Sequence, residues 1–518
     1  MKKLSMILSL LLILATLAGC ATPPPSDGSP AHICESVCED CHGCKDYACA
    51  ESACKNKCLC YLPSDDKGYG YFPTVEGEMA SVHISTPDGK NDWATKYIRD
   101  HKLAGQIEYV DAAVTVAGCE DEEKLVGAQA EVKVRGNYTL NYEKKPIRIK
   151  FKEKTNLLGL HSGERYKNWV LLADYKDLSL MNNSVAFYLG NTVLGSDGYF
   201  CTDFRHVEVY LNGEYWGVYL LVEQQEAKDG RGGVPEVPKN YTGNDIGYFF
   251  EYDAYYDLEA AMPDGDPTFR ANYLGYQAGA QGYTVKSDIN ADTQLAFLKS
   301  YVDNVFYILY QATRHNTYYK FKADYSGVET APEYSSAEEA IGAVIDLRSL
   351  VDTYILNEIA CDLDVDWSSF YLSLDMTEEG SKKLTFAYPW DFDSAFGSVK
   401  RRGYDPVGMY AATSQNPWFA FLVGEDWFDG MVRDKWAEMK ENGVRDGVLQ
   451  LIEIEKDYYS EEFIRNSRRW PSRVWHGNGE SVDILNTYND LETAQSLAAE
   501  YLKDWVIKRF AYLDGVWG

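Results

Sequence analysis

The sequence predicts an α+β chain of two lobes, strand-rich in its first half and helix-rich in its second. Three observations carry that expectation. From about Tyr71 to Glu251, apolar and polar residues alternate in short runs, the period of half-buried strands. From Thr293 onwards helical patterns of apolar residues take over. The composition, 45% hydrophobic and 25% charged over 518 residues, is that of globular material long enough for more than one unit. Strands followed by helices make an α+β arrangement, and a cleft between two such lobes is a natural ligand site.

At the N-terminus, Lys2 and Lys3 precede a run of apolar and small residues from Leu4 to Gly19, closed by Cys20. A basic start and a short apolar stretch form a secretory leader, since a spanning helix needs about 20 apolar residues. Leu17-Ala18-Gly19-Cys20 resembles the bacterial lipobox, which implies cleavage before Cys20 and acylation of its thiol. Each buried methylene then contributes about 0.8 kcal/mol to membrane attachment. The expected location is the extracytoplasmic face of the cell membrane, held by a lipid anchor after loss of residues 1–20. Residues 21–33, with Pro23-Pro24-Pro25, form a semi-extended tether. Residues 34–62 hold Cys34, Cys38, Cys41, Cys44, Cys49, Cys54, Cys58 and Cys60. With almost no aliphatic residues among them, cross-links or metal must hold this stretch. Export favours disulfides, while Cys38-x-x-Cys41-x-x-Cys44 with His32 and His42 also permits zinc or an iron–sulfur cluster.

The main domain is expected over 75–518. Its strands are predicted at Ala80–Ser85, Ala112–Val116, Glu131–Val134, Ile147–Phe151, Trp169–Ala173, Val207–Leu211, Val218–Val222 and Tyr248–Glu251. Helices are predicted at Thr293–Tyr310, Leu347–Cys361, Trp418–Leu422, Trp427–Lys440, Gly447–Phe463 and Leu491–Leu513, with one more over Asp177–Asn191. Cys119, Cys201 and Cys361 stand apart from the cluster and are expected as buried thiols. The net charge of -29 argues against nucleic acid and anionic lipid as electrostatic partners. The 40 tyrosines fit polar-tipped cores, the plainer reading, or a carbohydrate-stacking surface.

Three segments carry chemistry. The turn Arg135-Gly136-Asn137 leads to Ile147-Arg148-Ile149-Lys150-Phe151, where Arg148 and Lys150 project from one strand face and could hold a polyphosphate. Asp362-Leu363-Asp364-Val365-Asp366 crowds three acids at the end of an apolar helix, where the dipole makes further negative charge unfavourable and a cation welcome. Tyr388-Pro389-Trp390-Asp391-Phe392-Asp393 embeds two carboxylates in an aromatic stretch. Buried carboxylates need a partner, and magnesium is commonly held by one or two of them plus phosphates and water.

In order, Arg135-Gly136-Asn137, Lys145–Phe151, Asn168–Ala173, Val209–Tyr219, Tyr388–Gly397, Asn416–Phe419 and Arg468–Pro471 resemble the CotH (spore-coat protein H-like) kinase family, from about Val82 to the C-terminus. The resemblance implies a divergent protein-kinase-like fold and ATP-dependent phosphorylation of protein serines. It casts Lys150 as the phosphate-contacting lysine, with Arg148 and Arg135 beside it. Asp391 is cast as the ligand of Mg2+ or Mn2+, aided by Asp393. Asp364 is cast as the catalytic carboxylate that accepts the acceptor hydroxyl's proton. Glu223 falls where kinases join their lobes and seat adenine. The expected function is therefore phosphorylation of Ser or Thr on a secreted or surface protein. Two departures stand out: Ser369 occupies the position of an asparagine metal ligand, and Asp177–Asn191 offers no Glu to pair with Lys150. They leave a second reading, a surface binding protein that keeps the fold without catalysis.

Overall fold

A computed structural model describes residues 79–228, 231–276, 281–471 and 490–518. The leader, tether and cysteine-rich segment, Cys20 included, lie outside the described residues. The α+β expectation holds, and its strand-rich part closes on itself. Strands β1 (Ser81–Ser85), β2 (Val110–Ala117), β3 (Leu125–Val134), β4 (Ile147–Thr155), β5 (Tyr166–Leu172), β6 (Phe204–Leu211) and β7 (Glu214–Glu223) form a barrel in the order β1-β2-β3-β4-β5-β7-β6. The closing pair is parallel, Val82 against Val209, and its neighbours are antiparallel. Closure removes the exposed edges that an open sheet would present.

Alternation fills the barrel. Val82, Val114, Val132, Ile149, Trp169, Leu171, Val209 and Tyr219 share one buried core, so Arg148 and Lys150 must face outwards. Strands β5 and β7 are apolar on both faces: Val170, Leu172, Val218, Leu220 and Val222 belong to a second, larger core. Double-sided burial explains why these two strands read as continuous apolar runs.

That second core is built by a five-stranded sheet and helices. Strands β8 (Gly247–Asp253), β9 (Thr268–Phe269), β10 (Gly282–Val285), β13 (Phe370–Asp375) and β14 (Leu384–Phe386) pair in the order β14-β13-β8-β10-β9, while β11 (Tyr319–Phe321) and β12 (Val328–Thr330) form a separate ribbon. The helices are α1 (Arg99–Leu103), α2 (Asn182–Val193), α3 (Tyr256–Ala261), α4 (Asp292–His315), α5 (Ala337–Gly342), α6 (Leu347–Ala360), α7 (Asp426–Glu441), α8 (Val444–Tyr458), α9 (Ser460–Arg469) and α10 (Leu491–Trp517). Two expectations need correction. Trp418–Leu422 forms turns rather than a helix: Asn416 takes the Trp418 N–H at 3.0 Å and donates to Val365 O at 2.7 Å, tying the segment to the acidic loop. Gly447–Phe463 is two helices, broken at Tyr459, whose φ of -107° and ψ of 14° leave the helical range. Cys201 and Cys361 are buried thiols as expected, and Cys119 is partly exposed.

Two of these pairings position the chemistry. Strand β13 lies against β8 with Tyr371 opposite Glu251, which brings a carboxylate to the loop that precedes β13. Helix α2 packs so closely on the segment before Trp390 that a Cβ at Gly190 would stand 2.7 Å from Pro389 Cγ.

Candidate active site

One cleft of about 840 Å³ gathers Arg135 and Arg148 from the barrel with Asp364, Ser369, Asp391 and Asp393 from the helical part. Its two walls carry opposite charge.

The barrel wall begins where β3 ends. Arg135 N donates to Pro146 O at 3.0 Å, and Gly136 turns the chain with φ at +115°, where a Cβ would collide with Thr139 Oγ1 at 2.1 Å. The turn aims Arg135 into the cleft, its guanidinium 5.4 Å from the centre of the Trp390 ring. Burial pulls the Arg135 pKa down, opposed by Tyr371 and Asp391. Arg148 donates to Asn168 Oδ1 at 3.0 Å and lies 4.0 Å from Glu226. Lys133 joins them, its pKa brought down to about 8 by burial and then by repulsion from Arg148, Lys102 and Arg135. Cations crowded to that degree favour an anion between them.

The opposite wall starts at the end of α6. Cys361 adopts a left-handed conformation, φ 49°, and ends the helix. Asp362 is 3% exposed, and its Oδ1 has no hydrogen-bond partner among the described residues. Asp366 is tied down by Arg402 at 3.1 Å and the Gln415 N–H at 3.0 Å. Asp364 remains directed at the cleft, where burial, then Asp362, Asp391 and Asp393, lift its pKa well above the carboxylate range. Asp391, held at φ +65°, is pushed up to about 7 by burial and by Asp393. The backbone N–H of Ser369 donates to Glu251 Oε1 at 2.8 Å, so β8 fixes the far end of the acidic loop.

Among the described residues no three His, Cys, Asp or Glu side chains close on a point as a complete metal cage. The residues nonetheless fit Mg2+ or Mn2+. Such ions take one or two carboxylates and leave the remaining positions to phosphate and water. Asp391 and Asp393 supply carboxylates to the cleft, and behind them the buried Asp362 Oδ1 has no hydrogen-bond partner among the described residues.

Two expected residues sit elsewhere. Lys150 is not in the cleft lining; it points to solvent on the same face of β4 as Arg148, 47% exposed, with its Nζ 3.9 Å from Glu131. Successive outward positions on a strand are about 6.6 Å apart, enough to put one in the cleft and the next beyond its rim. Glu223, expected beside adenine, is fully buried: it accepts from Asp203 N at 2.7 Å and Thr202 Oγ1 at 3.2 Å, with His161 2.9 Å away. Its neighbours Gln224, Gln225 and Glu226 line the cleft instead. Residues that the sequence reading missed are Lys133, Lys176, Glu226 and Glu251. The carboxylate sought for the phosphate-side cation comes from the loop after β7, as Glu226, rather than from a helix over 177–191. Only its place just after an apolar strand hinted at it.

No curated protein matches the chain. A family model described as CotH kinase protein matches residues 132–513, a stretch that spans both walls of the cleft from Lys133 to Ser394. The chain belongs to the CotH kinase family.

Proposed function

We propose that the protein transfers the terminal phosphoryl group of ATP, with Mg2+ or Mn2+, to Ser or Thr hydroxyls of a secreted or surface protein, within a two-lobed kinase-like fold. The observation that carries this reading is the division of one cleft into a cationic barrel wall and a carboxylate wall. A triphosphate and its metal need both charges at once.

Arg135, Arg148 and Lys133 bind the phosphate oxygens. Asp391 and Asp393 would hold the metal, with Ser369 lining the same cleft. When bound, the metal neutralises charge on the phosphate oxygens. Asp364 accepts a hydrogen bond from the acceptor hydroxyl and takes its proton as the new O–P bond forms and the bond to the departing ADP oxygen breaks. Phosphoryl transfer depends on such positioning more than on covalent chemistry. Attachment through Cys20 at the extracytoplasmic face completes the proposal and supplies the class of partner: proteins exported to the same surface.

Incubation of the purified soluble chain with labelled ATP and Mn2+, beside Asp391→Ala and Asp364→Asn, tests it. The expected result is transfer by the wild type and a loss of about a hundredfold or more in each variant. Equal labelling in all three removes the assigned mechanism. Absent labelling in the wild type supports a binding protein that keeps the fold without catalysis.

A further inference from the structure

Lys176 stands in the connection between β5 and α2 and lines the cleft with Asp364, Asp391 and Asp393. Its ammonium donates to Ser394 Oγ at 3.3 Å, and Ser394 in turn donates to Asp393 Oδ1 at 2.9 Å. The Tyr138 ring centre lies 5.6 Å from the same ammonium. The backbone on either side is fixed. Asp177 accepts from Ser179 N at 2.8 Å and Asn182 N at 2.7 Å, and Asn183 accepts the Phe392 N–H at 2.8 Å. A flexible four-carbon stem is thus planted on a rigid base within the acidic wall.

Carboxylates gathered in a protein interior need a counter-charge. Asp366 has Arg402 and Asp391 has Arg135 across the cleft, whereas Lys176 is the cation on the acidic wall itself that faces Asp364, Asp391 and Asp393 together. We infer that Lys176 is the tethered counter-ion of the acidic wall, and that it moves to the terminal phosphoryl oxygens when metal and nucleotide enter. Burial works against its charge, yet Asp393, Tyr142, Asp364 and Asp391 together carry its pKa above the ordinary lysine value. It forms no bond, and its charge stabilises the phosphoryl group. The first half of the inference concerns the protein's own side chains; the second rests on the kinase reading.

The two halves separate in one experiment on the full soluble chain with Lys176→Met and Lys176→Gln, each checked for a wild-type melting temperature. Mn2+ alone, titrated by electron paramagnetic resonance, is expected to bind both variants about tenfold tighter than the wild type, because a competing like charge has gone. In the presence of Mn2+, an imido analogue of ATP is expected to bind the variants about tenfold more weakly, with ADP little changed. Identical Mn2+ affinity in wild type and variants overturns the counter-ion role whatever the nucleotide results. Equal losses for ADP and the analogue overturn the transfer to the terminal phosphoryl group. Tighter Mn2+ binding without any nucleotide binding leaves the counter-ion standing and refutes the kinase reading.

Discussion

Arg148 and Lys150 share one face of β4, and only Arg148 reaches the cleft. Steady-state kinetics should therefore separate them: Arg148→Ala raises the KM for ATP about tenfold or more through the loss of a charge-assisted phosphate contact, while Lys150→Ala leaves it within about twofold, as for an exposed surface pair. The alternation of Ile147, Ile149 and Phe151 made both cations legible as outward-facing. It could not say which one faces Asn168 and Glu226, because that depends on β5 and on the loop after β7. Asp364, Asp391 and Asp393 were legible for a better reason: acids set among apolar residues need compensation wherever the chain goes. Lys176 was not, since a lysine between Tyr175 and Asp177 has the look of any polar connection. Glu223 misled because a carboxylate ending a strand beside the expected lobe junction gives no sign that its partners, Thr202 and Asp203, lie inside the protein.

Among the elements, α6 ends at the acidic loop and is held there by α10. Glu358 and Arg509 are both fully buried and 2.8 Å apart. Arg509 also donates to Glu358 O at 2.7 Å, Pro406 O at 3.0 Å and Gly408 O at 2.6 Å, while Glu358 accepts from Tyr410 N and Ala412 N, each at 2.7 Å. Arg509→Met leaves the Glu358 carboxylate buried without its cation, so urea unfolding should show a loss of about 3–5 kcal/mol. In the fraction that remains folded, kcat falls more than the KM for ATP changes, because the cationic wall lies on other elements. A second buried pair joins β6 to α8: His206 Nδ1 lies 3.3 Å from Glu455, and its Nε2 lies 2.9 Å from Leu180 O. Burial opposes the charge on His206, but Glu455, the Leu180 carbonyl and Asp174 prevail and raise its pKa. A raised folded-state pKa contributes stability that is fully present below the unfolded value of about 6.5 and lost as pH rises through the folded value. The stability gap between wild type and His206→Gln, read from urea midpoints, should accordingly be wide near pH 6 and narrower near pH 9.

At the scale of the whole molecule, the barrel and the helical part share strands. Val170, Leu172, Leu220 and Val222 of β5 and β7 sit in the larger core, while Trp169, Leu171 and Leu221 from the same strands sit in the barrel. The division into a strand-rich and a helix-rich half was readable from periodicity. The five-stranded sheet was not: it takes β8, β9 and β10 from one half and β13 and β14 from the other, and pairings between distant segments leave no local pattern. That sheet sets Glu251 against the acidic loop and faces carboxylates towards the barrel's cations across one cleft. Under the proposed function, nucleotide and metal bind as a coupled pair, and coupling of that kind is reciprocal. Calorimetric titration of ATP into the soluble chain, with Mn2+ and with chelator, reads it directly. Mn2+ should tighten ATP binding by about tenfold or more in the wild type and fail to do so in Asp391→Asn. An ATP affinity indifferent to Mn2+, or a coupling undiminished in that variant, would contradict the assignment of both walls to one site.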